Sequence, residues 1–419
     1  MCKISSFNRG GGYKLLRSIV LFLALGITLF ASGYKIPETS LGSVALSAAN
    51  VAHASGADAA YYNPANMIFM KDEAVMEANL IYIGLSDVDY EAAGIDINSK
   101  KENFFVPSLG YVSPEISGAR FGLSIVSPAG LSKRWEDAPA IYSAQEFTLK
   151  TLEINPSVAL PIGDKVAVAL GLRAIYSEGV VKSTSPTALR DMNGDSIDFG
   201  YNLALSYKPT PEFEAALTYR SKVDLSIDGD ATLFYRDTTN KFGGGLGAIY
   251  RSNSSASVDV VVPALFNAAV AYTFLSDTTI EFVYERNFWS EYKELDFNYG
   301  AGVDPVTNLV FGEPVAKNWK DSSAYRLGIT QKLDKFTLMG GIIIDESPVP
   351  ETTLGFEMPG SDSVSFSFGS RYQIDKKISI GLAALYSIRE DRTVSNAKLD
   401  GEFSNSNVLI ISSAIEYKF

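Results

Sequence analysis

From about Glu73 onward the chain alternates apolar and polar positions with a period of two, the spacing of a β-strand whose two faces meet different surroundings. In the closing stretch SNSNVLIISSAIEYKF, Leu409, Ile411, Ile415, Tyr417 and Phe419 share one face, opposite Ser412, Ala414, Glu416 and Lys418. The split recurs in FEAALTYR, where Phe213, Ala215, Leu217 and Tyr219 oppose Glu214, Thr218 and Arg220. In ISIGLAALYS, Ile378, Ile380, Leu382, Ala384 and Tyr386 oppose Ser379, Gly381 and Ser387. Fourteen such segments are predicted, centred on MEANLIYIGL, FFVPSLGYV, RFGLSIV, LEINPSVAL, VAVALGLRAIY, IDFGYNLALSY, FEAALTYR, LFNAAVAYTF, TIEFVYE, YRLGITQKL, FTLMGGIII, VSFSFGSRY, ISIGLAALY and VLIISSAIEYKF.

The linkers supply the architecture. Short ones such as PEISGA, PIGD, PTP, SD, DK and IDKK follow every second segment, and long ones intervene, the longest at Val223 to Asp259 and Trp289 to Asp321. An even strand count with alternating short and long connections is the plan of a bacterial outer-membrane barrel, whereas a soluble sandwich has no reason to follow it. The fold class expected is an all-β membrane protein, a 14-stranded antiparallel transmembrane β-barrel. The 22 Tyr and 24 Phe gather near segment ends, where interfacial girdles belong.

The first residues read as an export signal. Lys3, Arg9, Lys14 and Arg17 precede an apolar run of 13 residues, Ser18 to Phe30, too short to span a bilayer comfortably. We place the cut after Ala31, with Gly33 as second choice; Cys2 is too far upstream to be a lipid anchor. Removing residues 1–31 takes four of 36 basic residues and no acids, leaving 32 against 48, or −16. The mature chain is acidic and cysteine-free, which excludes thiol chemistry and disulfides and speaks against nucleic acid as a partner.

Parity turns several charges inward: Glu153, Arg173, Asp198, Glu281, Glu285, Arg326, Asp345 and Arg371. The expectation is that they pair across the lumen, the usual state of buried ionisable groups. Apolar Ile81, Ile83, Leu265, Val283, Met339, Ile343 and Leu385 share the inward parity; they would line a ligand pocket or pack on a lumenal plug. Nothing calls for a cofactor or a metal, and no enzyme is expected. His53, the only histidine, falls before the first strand and reads as a packing residue. GGGLG at 243–247 lacks the context of a phosphate loop. Asp191, Asp195 and Asp198 in RDMNGDSID lack a closing bidentate Glu and read as a turn within a long loop.

About 40 Gly-, Ala- and Ser-rich residues separate the expected cut from Glu73, more than a bare tail needs. We expect three parts: signal 1–31, a lumenal hatch at 32–72 and the barrel at 73–419. SGYKIPETSLGS followed by DAAYYNPANM resembles the N-terminal hatch of the FadL family of outer-membrane long-chain fatty acid and hydrocarbon transporters, with Asn63, Pro64 and Ala65 matching its Asn-Pro-Ala element. LEINPSVALPIGDKVAVALGLRAIY, ALTYRSKVDLSIDGDA, NWKDSSAYRLGI and GGIIIDESPVPE extend the resemblance over nearly the whole mature chain.

That resemblance implies a mechanism. A hydrophobic ligand is captured at the extracellular loops, passed to an apolar pocket and released sideways through a gap at an inward kink of the third strand, avoiding the lipopolysaccharide layer. The matching strand is RFGLSIVSPAG, in which Gly118 and Gly122 permit a kink and Pro128 withholds a ladder donor. Gating is expected at Asn63, Pro64, Ala65, Gly122, Asp345, Ser347, Pro348 and Pro350. If the ligand is a fatty acid, its carboxylate needs a cation: Arg326 and Lys320 first, then Lys317, Arg173 and Arg371, with Ile81, Ile83, Val283 and Ile343 along the chain. If those cations are already paired, a neutral hydrocarbon is favoured. The partners expected are a hydrophobic small molecule, outer-membrane lipid and lipopolysaccharide, with the protein a monomer. A general diffusion porin or a surface adhesin would share the barrel; the ordered N-terminal stretch separates them from a transporter.

Overall fold

The computed structural model describes residues 33–419, so the expected signal at 1–31 lies outside the described residues. Fourteen antiparallel strands form the wall: β1 Val75–Leu85, β2 Glu102–Val112, β3 Arg120–Val126 continued by Gly130–Lys133, β4 Glu146–Ile162, β5 Val166–Thr184, β6 Ala188–Tyr207, β7 Phe213–Arg220 continued by Val223–Asp237, β8 Ala248–Val262 continued by Leu265–Thr273, β9 Thr278–Asn287, β10 Ser322–Leu333, β11 Phe336–Asp345, β12 Ser363–Gln373, β13 Ile378–Arg389 and β14 Val408–Lys418. The barrel closes where β1 pairs with β14, from Val75↔Lys418 to Leu85↔Val408. All the segments read from alternation lie in these strands. No described helix is long and apolar enough to cross a membrane, and strands do the crossing.

Parity sorts the faces as the sequence predicts. Phe199, Leu382 and Ile415 point outward and are 74%, 62% and 52% exposed although apolar, the signature of a lipid-facing wall. Glu153, Arg173, Glu281, Glu285 and Arg326 point inward and are buried. By the rule that outer-membrane barrels keep short turns on the periplasmic side, the end carrying 163–165, 334–335 and 374–377 is periplasmic.

Two stretches expected to be loops are strand. Val223–Asp237 and Ala248–Val262 pair continuously from Val223↔Val262 to Asp237↔Ala248, and RDMNGDSID lies within β6, paired with both β5 and β7. The cause is an inversion of polarity. Here Leu225, Ile227, Ala231 and Leu233 face in, at most 4% exposed, while Asp224, Ser226, Asp228 and Asp230 face out. Above the bilayer the outer surface meets water, so the face that must be apolar lower down becomes polar. A search for lipid-facing strands passes over it.

Residues 33–70 pack against inward-facing residues of the wall. Leu41–Ala45 and Ala59–Tyr62 are short helices and Pro64–Phe69 is a 3-10 turn; Leu41, Val44, Ala59, Ala65 and Met67 have no exposed surface. The wall makes room with small residues. A Cβ on Gly341 would stand 2.3 Å from the Leu46 carbonyl carbon, and one on Gly381 2.2 Å from a Leu41 methyl, so this helix lies against bare backbone of β11 and β13. Hydrogen bonds reach it from separate strands: Asn79 of β1 accepts from Leu41 N at 2.8 Å, Ser367 of β12 donates to Ala45 O at 2.9 Å, and Arg326 of β10 donates to Ser47 O at 2.8 Å.

Candidate functional site

A cavity of about 610 Å3 lies above this lumenal segment, within the range of small-molecule sites. Its apolar floor is a cross-strand row: Ile83 of β1 pairs with Ile410 of β14, which pairs with Leu385 of β13, and Ile343 of β11, Phe104 and Val106 continue it. A narrower pocket of about 50 Å3 above it is lined by Leu149, Val181, Met192, Ile227, Phe297 and Trp319. The two share Tyr34, Leu131, Thr148, Leu149, Glu357 and Met358, so they form one course, apolar but for Thr148 and Glu357, from the extracellular side inward.

The cavity meets a break in the wall. β2 and β3 pair only from Leu109↔Ile125 to Val112↔Gly122. Above that, β3 swings inward and bonds with the lumenal segment: Ile36 N donates to Pro128 O and Gly130 N to Tyr34 O, both at 2.9 Å. Against β4, Val126 pairs with Glu153 and Gly130 with Lys150, so β3 carries one extra residue, a bulge. Higher still the chains rejoin, Ser99 bridging Trp135 and Lys100 N donating to Arg134 O at 2.9 Å. A window is left between Glu102–Ser108 and Val126–Lys133. Asn103, Phe104, Phe105, Val106 and Pro107 on one jamb and Ser127, Ala129 and Gly130 on the other all line the cavity. Pro107 brings no N–H to an edge that has lost its partner.

The break is not at the glycines singled out in the sequence. Gly118 sits in the turn before β3 with φ +82°, and a Cβ on Gly122 would lie 2.8 Å from Met67 Sδ and 2.9 Å from Ala60 Cβ. Gly122 is small so that the lumenal segment can approach; the bend belongs to Ser127, Pro128 and Ala129. Pro128 does more than end a strand, since its carbonyl receives the Ile36 N–H.

Most lumenal cations are held by acids. Glu153 receives Arg173 Nε at 3.0 Å and also binds Arg220. Glu285 receives Arg326 Nη2 at 3.1 Å together with Lys35. Arg371 reaches Glu77 and, at 3.7 Å, Glu416. Lys317 pairs with Glu357 beside the upper pocket; burial alone would raise the Glu357 carboxyl, but the ammonium outweighs it and holds it below the usual range. Lys320 is exposed, its N–H bonded to Pro348 O at 2.9 Å. Two acids depart from the pairing expectation. Asp198 accepts from Ser196 Oγ at 2.6 Å and Ser226 N at 3.2 Å, and Glu281 accepts backbone N–H groups of Val51 and Ala52 at 2.6 Å and of His53 at 3.1 Å. Glu38, in the lumenal segment, is pushed up to about 7 by burial against the pull of Arg326 and Lys35.

The apolar inward set divides between the two expected roles. Ile81, Val283 and Met339 are buried among the side chains of the lumenal segment, whereas Ile83, Ile343 and Leu385 border the cavity; Leu265 faces a small space beside Arg220 and Glu285. Asp345, at the top of β11, also lines the cavity. Ser347, Pro348 and Pro350 lie in the extracellular loop after it, where Arg392 donates to Ser347 Oγ at 3.4 Å and to Val349 O at 2.6 Å. His53 contacts Glu214 through Nδ1 at 2.8 Å. The sequence offered no signal for the window jamb at Asn103–Pro107 or for Tyr34, whose ring lies between the two apolar spaces.

Asn63 ties the Asn-Pro-Ala turn to the wall. Fully buried, its Nδ2 donates to Val51 O at 2.7 Å and to Ser206 Oγ at 2.9 Å, and Pro64 opens the 3-10 turn. Asn63→Ala leaves two buried acceptors poorer at about 1–3 kcal/mol. We expect ligand uptake to fall severalfold while the barrel keeps its heat-modifiable mobility. Parental uptake rates would show that the turn does not depend on these bonds.

The chain has known relatives. Residues 22–419 match the family model described as outer membrane protein transport protein (OMPP1/FadL/TodX). It is 25% identical over 395 residues to the long-chain fatty acid transport protein of Escherichia coli O6:H1, covering 85% of this chain and 84% of that one. In fold it resembles a Pseudomonas aeruginosa FadL homologue, TM-score 0.81 at 18% identity, covering 92% of this chain and 99% of that one. It likewise resembles the Pseudomonas putida toluene transporter TodX, TM-score 0.72 at 16% identity, covering 94% and 99%. With the family model matched from residue 22 to the last residue, the chain belongs to the OMPP1/FadL/TodX family of outer-membrane transport proteins.

Proposed function

We propose that this protein, acting as a monomer, takes up long-chain fatty acids or related hydrocarbons by capturing them at its extracellular pocket, passing them to the cavity and releasing them sideways through the window between β2 and β3. The observation that carries this reading is the window itself, bordered on both jambs by residues of a cavity with an apolar floor. Lateral exit delivers an apolar molecule into the hydrocarbon layer without crossing the lipopolysaccharide or the polar spaces at the periplasmic end. The names of the relatives agree in class, one for long-chain fatty acids and one for toluene. Contact with Ile83, Ile343 and Leu385 stabilises an acyl chain by about 0.8 kcal/mol per buried methylene, enough for tight binding after ordering costs. A diffusion porin is disfavoured by the buried segment that occupies the lumen.

Deleting Pro128 removes the extra residue of the bulge and lets β3 run in register with β4, straight enough to pair with β2. Uptake of a radiolabelled fatty acid by cells lacking their own transporter should drop to background, while purified protein still binds it. Unchanged uptake by a variant with unchanged affinity would exclude the window as the exit.

A further inference from the structure

The upper pocket is far smaller than the cavity it leads to. It has about 50 Å3, room for a few water molecules, against about 610 Å3 below. Cargo sized to the cavity passes the pocket only if part of its lining gives way. Lys317 and Glu357 are the only charged residues among those lining the pocket, and they pair with each other. Glu357 also stands at the neck between the two spaces, bordering both with Tyr34, Leu131, Leu149 and Met358. The backbone around the pair is tied down: Lys320 N donates to Pro348 O at 2.9 Å, Thr353 Oγ1 to Lys317 O at 2.5 Å, and Trp135 Nε1 to Phe356 O at 3.0 Å. The loop after β9 and the loop after β11 are therefore joined independently of the pair, and the parts free to move are two long side chains. Gly355 fits this account. A Cβ there would stand 2.3 Å from Glu357 Oε2 and 2.9 Å from its Oε1, so the carboxylate folds back over bare backbone of its own loop.

We propose that Lys317 and Glu357 form a side-chain gate at the neck, closed while they pair and open when the carboxylate swings off Gly355, and that its opening sets the rate of uptake. This inference rests on the uptake reading and adds a rate-setting step to it. The rest of the pocket lining is uncharged and mostly apolar, so parting the pair leaves two charges in poor surroundings until water or another partner reaches them. The closed state is favoured for that reason. Lys398, exposed and outside the lining, also acts on Glu357 and gives the carboxylate a second cation to turn toward. The lysine stem carries four rotatable carbons, so its ammonium leaves the neck without any shift of the loop. Because the barrier belongs to the protein, cargo of any head chemistry meets it equally.

The test measures initial uptake of radiolabelled hexadecanoate and hexadecanol, equal in chain and different in head, by cells lacking their own transporter. The double variant Lys317→Met/Glu357→Gln keeps similar bulk without the charges and should take up both compounds about tenfold faster than the parent. Gly355→Ala keeps both charges but occupies the seat of the carboxylate, and should likewise speed both. Exchanging the pair, Lys317→Glu/Glu357→Lys, should bring back the slow rate. Heat-modifiable mobility reports folding, and if the neutral double variant fails to fold, Gly355→Ala decides. Rates that stay the same or fall in these two variants overturn the gate and leave uptake standing. A gain for hexadecanoate alone also overturns it, by making the pair a contact of the head group. Uptake of neither compound by the parent overturns both readings.

Discussion

Deleting residues 33–72, with residues 1–32 kept, should give large, ligand-independent conductance steps where the parent is expected to stay closed. The reasons lie in how the wall is closed. None of these residues belongs to a barrel strand, and the ladder runs from β1 through β14 and back to β1 without them, apart from the window. The wall therefore keeps its backbone pairing, which is what holds a membrane barrel together. Inside, the deletion removes the side chains that fill the lumen, among them Leu41, Val44, Ala59, Ala65 and Met67. A barrel of this size is then too wide for its own inward side chains to fill. The charges left behind would be hydrated, and most retain partners within the wall, as Glu153 does with Arg173 and Arg220. Planar-bilayer recordings give the readout, with heat-modifiable mobility as the folding control. A folded variant that stays silent would mean that this segment does not close the lumen.

How much of this was legible depends on what each residue answers to. The strands within the bilayer answer to lipid on one side, and lipid imposes apolar residues at every second position; hence Leu217, Leu382 and Ile415 mark their strands unambiguously. The upper halves of β6, β7 and β8 answer to water outside and to the pocket inside, so Ser226, Asp228 and Asp230 look like loop in sequence although they are ladder. Arg326 and Arg371 were read correctly as inward, but parity cannot say what a side chain meets across a lumen. Arg326 meets Glu285 and the Ser47 carbonyl, partners fixed by where the lumenal segment lies. Lys133 and Arg389, which also border the cavity, escape a sequence reading for the opposite reason. They sit in LSKRWED and SIRED, charge-rich strand ends that resemble solvated turns, and only the inward swing of β3 and the height of β13 bring them to one cavity. The window was half visible: Pro128 was singled out, but its place in a bulge depends on pairing with Lys150 and Glu153 of the next strand.

A single substitution should reproduce part of the effect of the large deletion. Glu281→Ala is expected to loosen the lumenal segment and give intermittent channel openings, with the barrel's own thermal transition little changed. Glu281 projects from β9, is 4% exposed, and has no cation within ion-pair distance among the described residues. Its carboxylate instead gathers three consecutive backbone donors, from Val51, Ala52 and His53, an anion in a nest of N–H groups. Removing it strands those donors, and each buried group left without a partner costs about 1–3 kcal/mol. The polar cavity of about 450 Å3 that Glu281 and His53 both line admits water to some of them, which puts the total toward the lower end, about 3 kcal/mol for three groups. That is large beside the remaining ties of the segment, yet none of it is charged to the strand ladder. Glu153→Ala provides the contrast, because Glu153 bonds Arg173 and Arg220, wall to wall. Two buried arginines are then left facing one another, and breaking such a set costs about 3–5 kcal/mol, so this variant should melt at lower temperature while its conductance stays closed. The pair of substitutions thus separates the stability of the plug from that of the wall. Conductance that stays closed in Glu281→Ala, together with a lowered melting transition, would assign Glu281 to the wall and remove it as the fastening of the segment.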